Sequence, residues 1–396
     1  MNNSKKYIEI EKEHFIQVYS RLPIVVEKAE GVRIWDKDGN DYLDFLGGIA
    51  VDVLGHSHPK IIEAITHQAS RYLHLSNYFF QDAQINFVKK LTSISKFPRA
   101  FLSNSGAESI EGAIKLARKW GSTRNKNTII SFTGAFHGRT YGGLSLMNKE
   151  IYKEGMGPFL SNIKILPYNS VEDLLKNIDL SVCAVFLEFI QGEGGVTPAN
   201  HDFVKTLKEL QKQNNFLIVA DEIQAGMGRT GKFFSFDHYD ITPDIVTLSK
   251  GLGGGLPLGA ILIQEQLAEV FGKSQHGTTF GGNALSCTCG EVVLDELNTG
   301  LLDNVNEMGN YLFEKLEKIK SKFPQHILQV RGIGLMLGVV FNFEAKQVVD
   351  EMLKQKVISN STNGNVLRII PPYIISKADI DQFCAALENS LKSIDL

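Results

Sequence analysis

The chain has 396 residues, of which 43% are hydrophobic and 21% are charged, and its formal net charge is −3. At about 150 residues per domain, this length predicts two domains with a large buried core. A nearly neutral chain offers no electrostatic footprint for nucleic acid, and no apolar run reaches the roughly 18 residues of a membrane-spanning helix. The first fifteen residues alternate charged and apolar side chains, unlike a secretory signal, so we expect a cytoplasmic protein without nucleic-acid or membrane partners.

Cysteine and histidine spacing does not suggest a metal site. The four cysteines form no C-x-x-C pair, and His56, His58, His67 and His74 lack cysteine or carboxylate partners at ligand spacing. We therefore expect buried free thiols, ordinary histidines and no bound metal.

Short apolar runs, each followed by a polar or glycine-rich loop, predict the strands of one sheet. Runs of this kind are typical of strands buried on both faces of a mainly parallel sheet. They occur at residues 100–102, 128–130, 183–187, 216–220 and 245–248, with helical segments at 110–119 and 203–213 between some of them. This alternation indicates an α/β domain, in which ligands bind at the carboxyl ends of the strands.

The pattern changes after Gly300. Leucine and other apolar residues from 302 to 323 recur at intervals of three and four, which predicts one long amphipathic helix. We assign residues 51–300 to the large domain and 301–396 to a small domain. Residues 1–50 form an N-terminal segment that we place with the small domain, although the sequence is compatible with packing against either.

The first candidate site element is the segment SNSGAES. Ser105 followed three residues later by Glu108 predicts a capping box and a helix that begins at Gly106 and Ala107. Free backbone N–H groups at such a helix start bind phosphate. An ordinary capped helix explains the same residues.

The second element is Asp221, which directly follows the apolar run 216–220. A carboxylate there needs a partner, and a protonated pyridine nitrogen is one such partner. Gln224 is then within reach of a phenolic oxygen on the same ring. A salt-bridged acid at a strand end is the simpler alternative.

Lys250 is the third element, since it follows the apolar run 245–248 and opens a glycine-rich loop. Most lysines are exposed, but burial lowers the pKa of an amine and makes it a nucleophile able to form a Schiff base. The catalytic interpretation rests on Asp221 and the phosphate-binding segment accompanying it.

Two nucleotide-binding patterns are only partly matched. Residues 226–232 read G-x-x-x-x-G-K, but Phe233 stands where a P-loop has its magnesium-binding hydroxyl. Residues 251–256 lack the third glycine of a dinucleotide fingerprint. A P-loop ATPase is therefore a disfavoured alternative.

Together these residues resemble the class III aminotransferases, over a span from about Tyr19 to Tyr373. The resemblance implies fold type I, with a large mainly parallel-sheet domain and a smaller α+β domain, and pyridoxal 5′-phosphate as cofactor. It implies that Lys250 carries the cofactor as a Schiff base and moves the substrate proton, and that Asp221 partners the ring nitrogen. The other cofactor contacts it implies are Ser105, Gly106 and Ala107 at the phosphate, Phe136 stacked on the ring, Gln224 at the phenolic oxygen, and Thr279 at the phosphate of the neighbouring subunit of a homodimer.

The resemblance also implies a set of substrate contacts: Tyr19, Arg139, Glu193, Thr278 and Arg368. Within this set Glu193 and Arg368 form a gated pair. The amino donor presents an amine where 2-oxoglutarate presents a keto group beside a carboxylate, so one arginine must be masked in one half-reaction and free in the other.

Substrate choice follows from residues 47–56, which are typical of family members acting on N2-acetylornithine. Members acting on ornithine tend to have tyrosine where Ile49 stands. We expect the δ-amino group of N2-acetylornithine to pass to 2-oxoglutarate, giving N-acetylglutamate 5-semialdehyde and glutamate, a step of arginine biosynthesis. Phe189 and Ile333 depart from the usual proline and lysine, so ornithine, succinylornithine, 4-aminobutyrate and carrier-bound lysine stay open as donors, as does a cofactor-binding protein without catalysis.

Overall fold

The computed structural model describes residues 3–394. Its first elements are short strands and helices before residue 96. They are α1 (Asn3–His14), β1 (Val26–Glu30), β2 (Arg33–Asp36), β3 (Asp41–Asp44), the single turn α2 (Gly47–Ala50), α3 (Pro59–Ala69) and α4 (Asp82–Ser95).

Strands and helices alternate through the middle of the chain. They are β4 (Arg99–Ser103), α5 (Gly106–Ser122), β5 (Thr128–Phe132), α6 (Tyr141–Ser145), β6 (Ile163–Leu166), α7 (Val171–Asn177), β7 (Val182–Leu187), β8 (Ile190–Gln191), β9 (Thr197–Pro198), α8 (His201–Asn214), β10 (Leu217–Asp221), β11 (Ile245–Leu248), β12 (Gly259–Ile263) and α9 (Ala284–Glu296).

The last part begins with the longest helix of the described chain. Its elements are α10 (Leu302–Lys322), β13 (Ile327–Ile333), β14 (Met336–Phe341), α11 (Lys346–Lys354), β15 (Val357–Ile358), β16 (Asn360–Thr362), β17 (Val366–Ile369) and α12 (Lys377–Ser393).

A seven-stranded sheet in the order β4-β12-β11-β10-β7-β5-β6 forms the centre of the molecule. Strands β6, β5, β7, β10 and β11 are parallel, and β12 runs antiparallel to both of its neighbours. The five apolar runs of the sequence form β4, β5, β7, β10 and β11, which confirms the predicted α/β class. β6 and β12 were not among the predicted strands.

Successive residues of the central strands enter different cores. Val185 and Ile218 pack with α8 and α9 on one face of the sheet, whereas Phe186 and Val219 pack with α5 on the other. This alternation is the expected geometry of a strand covered on both faces, and it explains why the residues of β7 and the residues of β10 before Asp221 are all apolar.

Two four-stranded sheets have the orders β1-β2-β3-β15 and β13-β14-β17-β16, and β8 pairs with β9 in a two-stranded sheet. In the first, Leu43 of β3 pairs in parallel with Val357 of β15, which joins the beginning of the chain to its end. The long predicted helix is α10, and its apolar stripe is buried as expected. The division at residues 50 and 300 remains a prediction.

Among residues 3–394, no helix combines the length and apolar character needed to span a bilayer.

Candidate active site

Asp221 is the last residue of β10 and lies opposite Thr247 of β11. Its side chain is only 3% exposed. The carboxylate accepts hydrogen bonds from the Ile223 amide at 3.1 Å and from Nδ1 of His137 at 2.7 Å. Since a carboxylate here only accepts, the His137 ring donates its Nδ1 proton, and both groups are held rigidly at the carboxyl end of the sheet.

Lys250 lies three residues beyond Thr247, in a short 3-10 turn that spans Lys250–Gly253. Its backbone has a φ of +46°, an uncommon left-handed conformation for a non-glycine residue. Burial, followed by the charge of Arg368, lowers the pKa of Lys250 to about 8, although the charges of Asp221, Glu193 and Glu188 oppose the shift. The amine is therefore far more available as a nucleophile than an exposed lysine.

The predicted phosphate-binding turn is the N-terminus of α5. Ser105 caps this helix, and its hydroxyl accepts a hydrogen bond from the Glu108 amide at 3.2 Å. The capping box is wrong in one detail, because the Glu108 carboxylate bonds the amide of Asn104 at 2.8 Å rather than that of Ser105. A β-carbon at Gly106 would lie 2.7 Å from Cδ1 of Ile223, so a larger residue there would have to displace this side chain of the loop after Asp221.

Phe136 and Arg139 belong to the loop that follows β5. The Phe136 amide donates to the Glu188 carboxylate at 3.0 Å, which fixes the backbone beneath the half-buried ring. A β-carbon at Gly138 would lie only 3.0 Å from Cβ of Ala107, so this loop packs closely against the phosphate turn. Arg139 is exposed and its guanidinium lies 3.5 Å from the centre of the Tyr152 ring, at the rim of the site.

The sequence analysis missed His137 and Glu188, two buried groups of the site. Burial lowers the pKa of His137, but the hydrogen bond and charge of Asp221 and the charge of Glu188 together outweigh it, so that the pKa is raised overall. Burial raises the pKa of Glu188 to about 7. Glu188 directly follows β7, just as Asp221 ends the apolar strand β10. The pattern of an acid after an apolar run, which located Asp221, therefore also predicts Glu188.

Glu193 and Arg368 form an ion pair, in which Nη1 of Arg368 donates to Oε1 of Glu193. Arg368 is 2% exposed and also donates to Gln224 at 3.3 Å and to Asn360 at 3.2 Å. Burial raises the pKa of Glu193, but the charge and hydrogen bond of Arg368 outweigh it and hold that pKa below its ordinary value. The two predicted gate residues thus lie in contact, beside Gln224.

The remaining predicted substrate and cofactor contacts lie further out. Thr278 accepts a hydrogen bond from the Asn104 side chain at 3.0 Å, so it borders the phosphate turn. Thr279 is exposed. Tyr19 is 72% exposed and stacks with Arg21, whose guanidinium carbon lies 5.1 Å from the centre of its ring, apart from the buried groups.

Ile49 occupies a left-handed turn, since residues 47–50 all have φ between +52° and +63°. The turn is anchored by Asp44, which accepts hydrogen bonds from the amides of Leu46 and Gly47 at 2.8 and 3.1 Å. It approaches the lysine loop, because a β-carbon at Gly251 would lie 3.8 Å from the Ala50 carbonyl oxygen.

The glycine segment 226–232 does not offer a nucleotide site. Gly228 lies against Leu302 and Leu297, and Gly231 lies against Asn306, so the segment packs on the start of α10. Lys232 donates to the Asp237 carbonyl at 2.7 Å. The P-loop interpretation is therefore inconsistent with the packing.

The groups gathered at the carboxyl edge of the sheet fit a phosphorylated pyridine aldehyde. Lys250 supplies a buried amine, Asp221 an acceptor for a ring N–H, and the start of α5 free amides for a phosphate. Gly106 carries no side chain, which favours close approach of a phosphate to the backbone of this turn.

Comparisons with known proteins identify the family of the whole chain. The family model for class-III aminotransferases matches residues 16–391. Acetylornithine aminotransferase from Caldanaerobacter subterraneus subsp. tengcongensis is 43% identical over 98% of this chain and 99% of its own. The same-named protein from Methanocaldococcus jannaschii is 41% identical over 99% of both chains.

Solved structures give the same fold. Ornithine aminotransferase from Toxoplasma gondii ME49 superposes with a TM-score of 0.95 and 30% identity over 99% of this chain and 96% of its own. N-acetylornithine aminotransferase from Stenotrophomonas maltophilia K279a has a TM-score of 0.84 and 34% identity over 98% of both chains.

The chain belongs to the class-III aminotransferase family. It is an aminotransferase of fold type I, and its cofactor is pyridoxal 5′-phosphate.

Proposed function

We propose that this protein transfers the δ-amino group of N2-acetylornithine to 2-oxoglutarate, giving N-acetylglutamate 5-semialdehyde and glutamate. The observation that carries the proposal is the buried Glu193–Arg368 pair whose charges act on Lys250. A site with one maskable arginine suits two substrates that differ by a carboxylate at the reacting carbon. The names of the relatives at 43% and 41% identity support the same donor.

The bound cofactor supplies an electron sink for the carbanion formed at the reacting carbon. In the proposed assignment Lys250 would hold the cofactor covalently, and its amine would carry the substrate proton, a role suited to its lowered pKa. Asp221 would be the partner of the ring nitrogen, and His137 orients Asp221 through the bond of 2.7 Å. Ser105, Gly106 and Ala107 would hold the phosphate, and Phe136 and Gln224 would contact the ring.

Arg139 and Arg368 bind the substrate carboxylates in this proposal. Arg139 is exposed at the rim, so it suits the distal carboxylate of 2-oxoglutarate or the α-carboxylate of the donor. Arg368 suits the carboxylate beside the keto group, but only when Glu193 has moved away. With Glu193 in contact, as here, the site suits the amino donor.

Substrate choice among family members rests on the turn that holds Ile49. Phe189 contributes less than the sequence suggests, because it is fully buried against Tyr239 and Phe236, with ring centres 5.3 and 6.0 Å away. The similarity to ornithine aminotransferase structures keeps ornithine as the main competing donor.

We also propose a homodimer with shared active sites and a cytoplasmic location. Tyr78, Phe80 and Phe280 are exposed, and the segment of Tyr78 contacts that of Thr279 because the Asn77 side chain donates to the Thr278 carbonyl at 3.2 Å. Exposed aromatic side chains in one region support burial of this surface by a second copy. Thr279 then reaches the phosphate bound by the neighbouring subunit. Cys183, Cys287, Cys289 and Cys384 are free and buried, which suits a reducing compartment.

The test is a panel of amino donors mixed with the holoenzyme, with loss of the cofactor's visible absorbance as the readout and its return on adding 2-oxoglutarate. N2-acetylornithine is expected to give the highest kcat/KM, followed by ornithine, succinylornithine and 4-aminobutyrate. A higher value for ornithine would reject the proposed donor. The Lys250→Ala variant should lose the cofactor link that borohydride traps, and normal turnover by that variant would reject the role of Lys250.

A further inference from the structure

Glu193 lies in a five-residue turn between β8 and β9, residues 192–196, which we name the gate turn. The turn closes on itself, since the amides of Gly195 and Val196 donate to the Gly192 carbonyl at 3.3 Å. Glu193 is thus held on a compact turn rather than on a loose loop.

Two side chains from the last third of the chain bind backbone carbonyls of this turn. The Thr362 hydroxyl donates to the Glu193 carbonyl at 2.8 Å. Arg331 donates to the Gly195 carbonyl through both Nε and Nη2, at 2.9 and 2.7 Å. The Thr362 hydroxyl also lies 3.5 Å from Oε2 of Glu193, a longer contact than its bond to the carbonyl. The bonds to the Glu193 and Gly195 carbonyls themselves do not depend on which way the Glu193 side chain points.

The packing around these bonds leaves little room for the turn to shift. Gly195 has a φ of +90°, and a β-carbon there would lie 2.8 Å from Nη2 of Arg331. A β-carbon at Gly338 of β14 would meet Val196 at 3.0 Å. The turn therefore lies directly on the sheet formed by β13, β14, β17 and β16.

The start of the gate turn is fixed to the large sheet instead. Gln191 donates to the Thr133 carbonyl at 2.9 Å, and the Gly192 amide donates to Glu188 at 3.3 Å. Residues before Glu193 are thus tied to the cofactor side, and residues from Glu193 to Gly195 are tied to the strands that carry Arg368.

We propose that Thr362 and Arg331 are positioning residues for the gate: they hold the gate-turn backbone in register with Arg368, so that opening consists of a swing of the Glu193 side chain alone. The inference rests on the proposed function, because it assumes that Arg368 is masked for the amino donor and free for 2-oxoglutarate. In so closely packed a turn, loss of either anchor needs to displace the Glu193 backbone only slightly to weaken the contact of its carboxylate with Arg368.

The two half-reactions respond differently to such drift. The half-reaction with N2-acetylornithine needs Arg368 masked and becomes slower when Glu193 is misplaced. The half-reaction with glutamate needs Arg368 free and is little affected. A residue with only a structural role would instead slow both half-reactions together.

The experiment uses the holoenzyme in single-turnover measurements, following the cofactor's absorbance with N2-acetylornithine or glutamate as donor. Thr362→Val keeps the shape of the side chain and removes the donor, and Arg331→Lys keeps the charge but loses the two-bonded geometry. Each variant is expected to lower the rate constant over Kd about five- to tenfold for N2-acetylornithine, as expected for one lost hydrogen bond, and less than twofold for glutamate.

Ser361→Ala is the matched control. It removes a hydroxyl from the residue of β16 that precedes Thr362, and its side chain faces the opposite side of the strand. It should leave both half-reactions unchanged. In a Glu193→Ala background, Thr362→Val should add no further difference between the two donors, since no carboxylate remains to be positioned.

Equal losses for both donors, or a difference that survives in the Glu193→Ala background, would overturn the inference. If Arg331→Lys does not fold, Thr362→Val decides alone. A wild-type enzyme that is inert with N2-acetylornithine would reject the proposed function instead, and this result is separate because it requires no variant.

Discussion

At the scale of single residues, the surroundings of Lys250 favour its neutral, nucleophilic amine over the charged ammonium. Burial and the nearby Arg368 lower its pKa from 10.5 to about 8, in spite of three acids acting in the other direction. A buried ammonium that is easier to deprotonate is also one that destabilises the folded apoprotein. Function and stability are therefore in conflict at this position.

The Lys250→Met apoprotein is expected to be more stable than the wild type at pH 7. The folded pKa lies below the unfolded one, so the penalty is fully present below pH 8 and disappears as the pH rises to 10.5. The gain at pH 7 should be about 1–3 kcal/mol, and it should be several times smaller near pH 10. Urea unfolding at both pH values measures it.

Lys318→Met is a suitable control, since Lys318 is exposed on α10. That variant should change stability by less than about 0.5 kcal/mol at either pH. A Lys250→Met protein that is less stable at pH 7, or equally stabilised at pH 7 and 10, would contradict the role of burial.

The sequence located the acid and the amine of the site because each directly follows an apolar strand. The same pattern precedes Glu188, which was left without a role. His137 gave no such signal, because its importance depends on a contact with Asp221 across 84 positions of chain. A histidine that acts through a distant second residue cannot be located from the spacing of residues in the sequence.

At the scale of elements, α10 depends on one glycine where it crosses the β13–β14 hairpin. A β-carbon at Gly309 would lie 2.7 Å from the carbonyl carbon and oxygen of Gly334. Gly334 has a φ of +59° and itself packs against the Thr230 backbone. All of these contacts are with backbone atoms, so neither partner can move away cheaply.

Gly309→Ala is therefore expected to destabilise the protein by about 2–4 kcal/mol, since overpacking outweighs the gain in helix propensity of roughly 1 kcal/mol. Chemical denaturation of the holoenzyme measures the change. Asn310→Ala, at the next and exposed position of α10, isolates the propensity term and should be neutral or slightly stabilising. A stabilised Gly309→Ala protein would show that the helix shifts without penalty.

Strands with uninterrupted apolar runs and the helix with a regular apolar stripe were predictable, because burial on both faces or on one face leaves a direct mark on the sequence. β12 was not, although Gly259–Ile263 is apolar, because the glycine-rich loop before it masked its start. The gate turn was also unpredictable as a structure: its shape comes from Arg331 and Thr362, more than 130 residues away in the chain.

At the scale of the whole molecule, a large apolar surface is exposed around residues 73–80 and Phe280. Tyr78 and Phe80 are 95% and 99% exposed. We expect a dimer in sedimentation experiments, and the Phe80→Asp variant is expected to dissociate because a charge cannot be buried there without a partner. Its kcat should fall at least tenfold, since each site would lose the neighbouring subunit's Thr279.

Leu180→Asp serves as the control. Leu180 is exposed just before β7, at the amino ends of the parallel strands, whereas the site lies at their carboxyl ends. It should stay dimeric and active. A wild-type protein that sediments as an active monomer would contradict the proposed assembly.

The pairing of β3 with β15 has a consequence for how the protein is made. A chain leaving the ribosome has every strand of the seven-stranded sheet, together with Asp221 and Lys250, more than a hundred residues before Arg368 is synthesised. Its first strands must wait for residues 357–358 before their sheet is complete, so the ends of the chain join last. A nascent protein would then acquire the residues proposed to bind its vitamin-derived cofactor before it acquires Arg368, the arginine of the proposed gate.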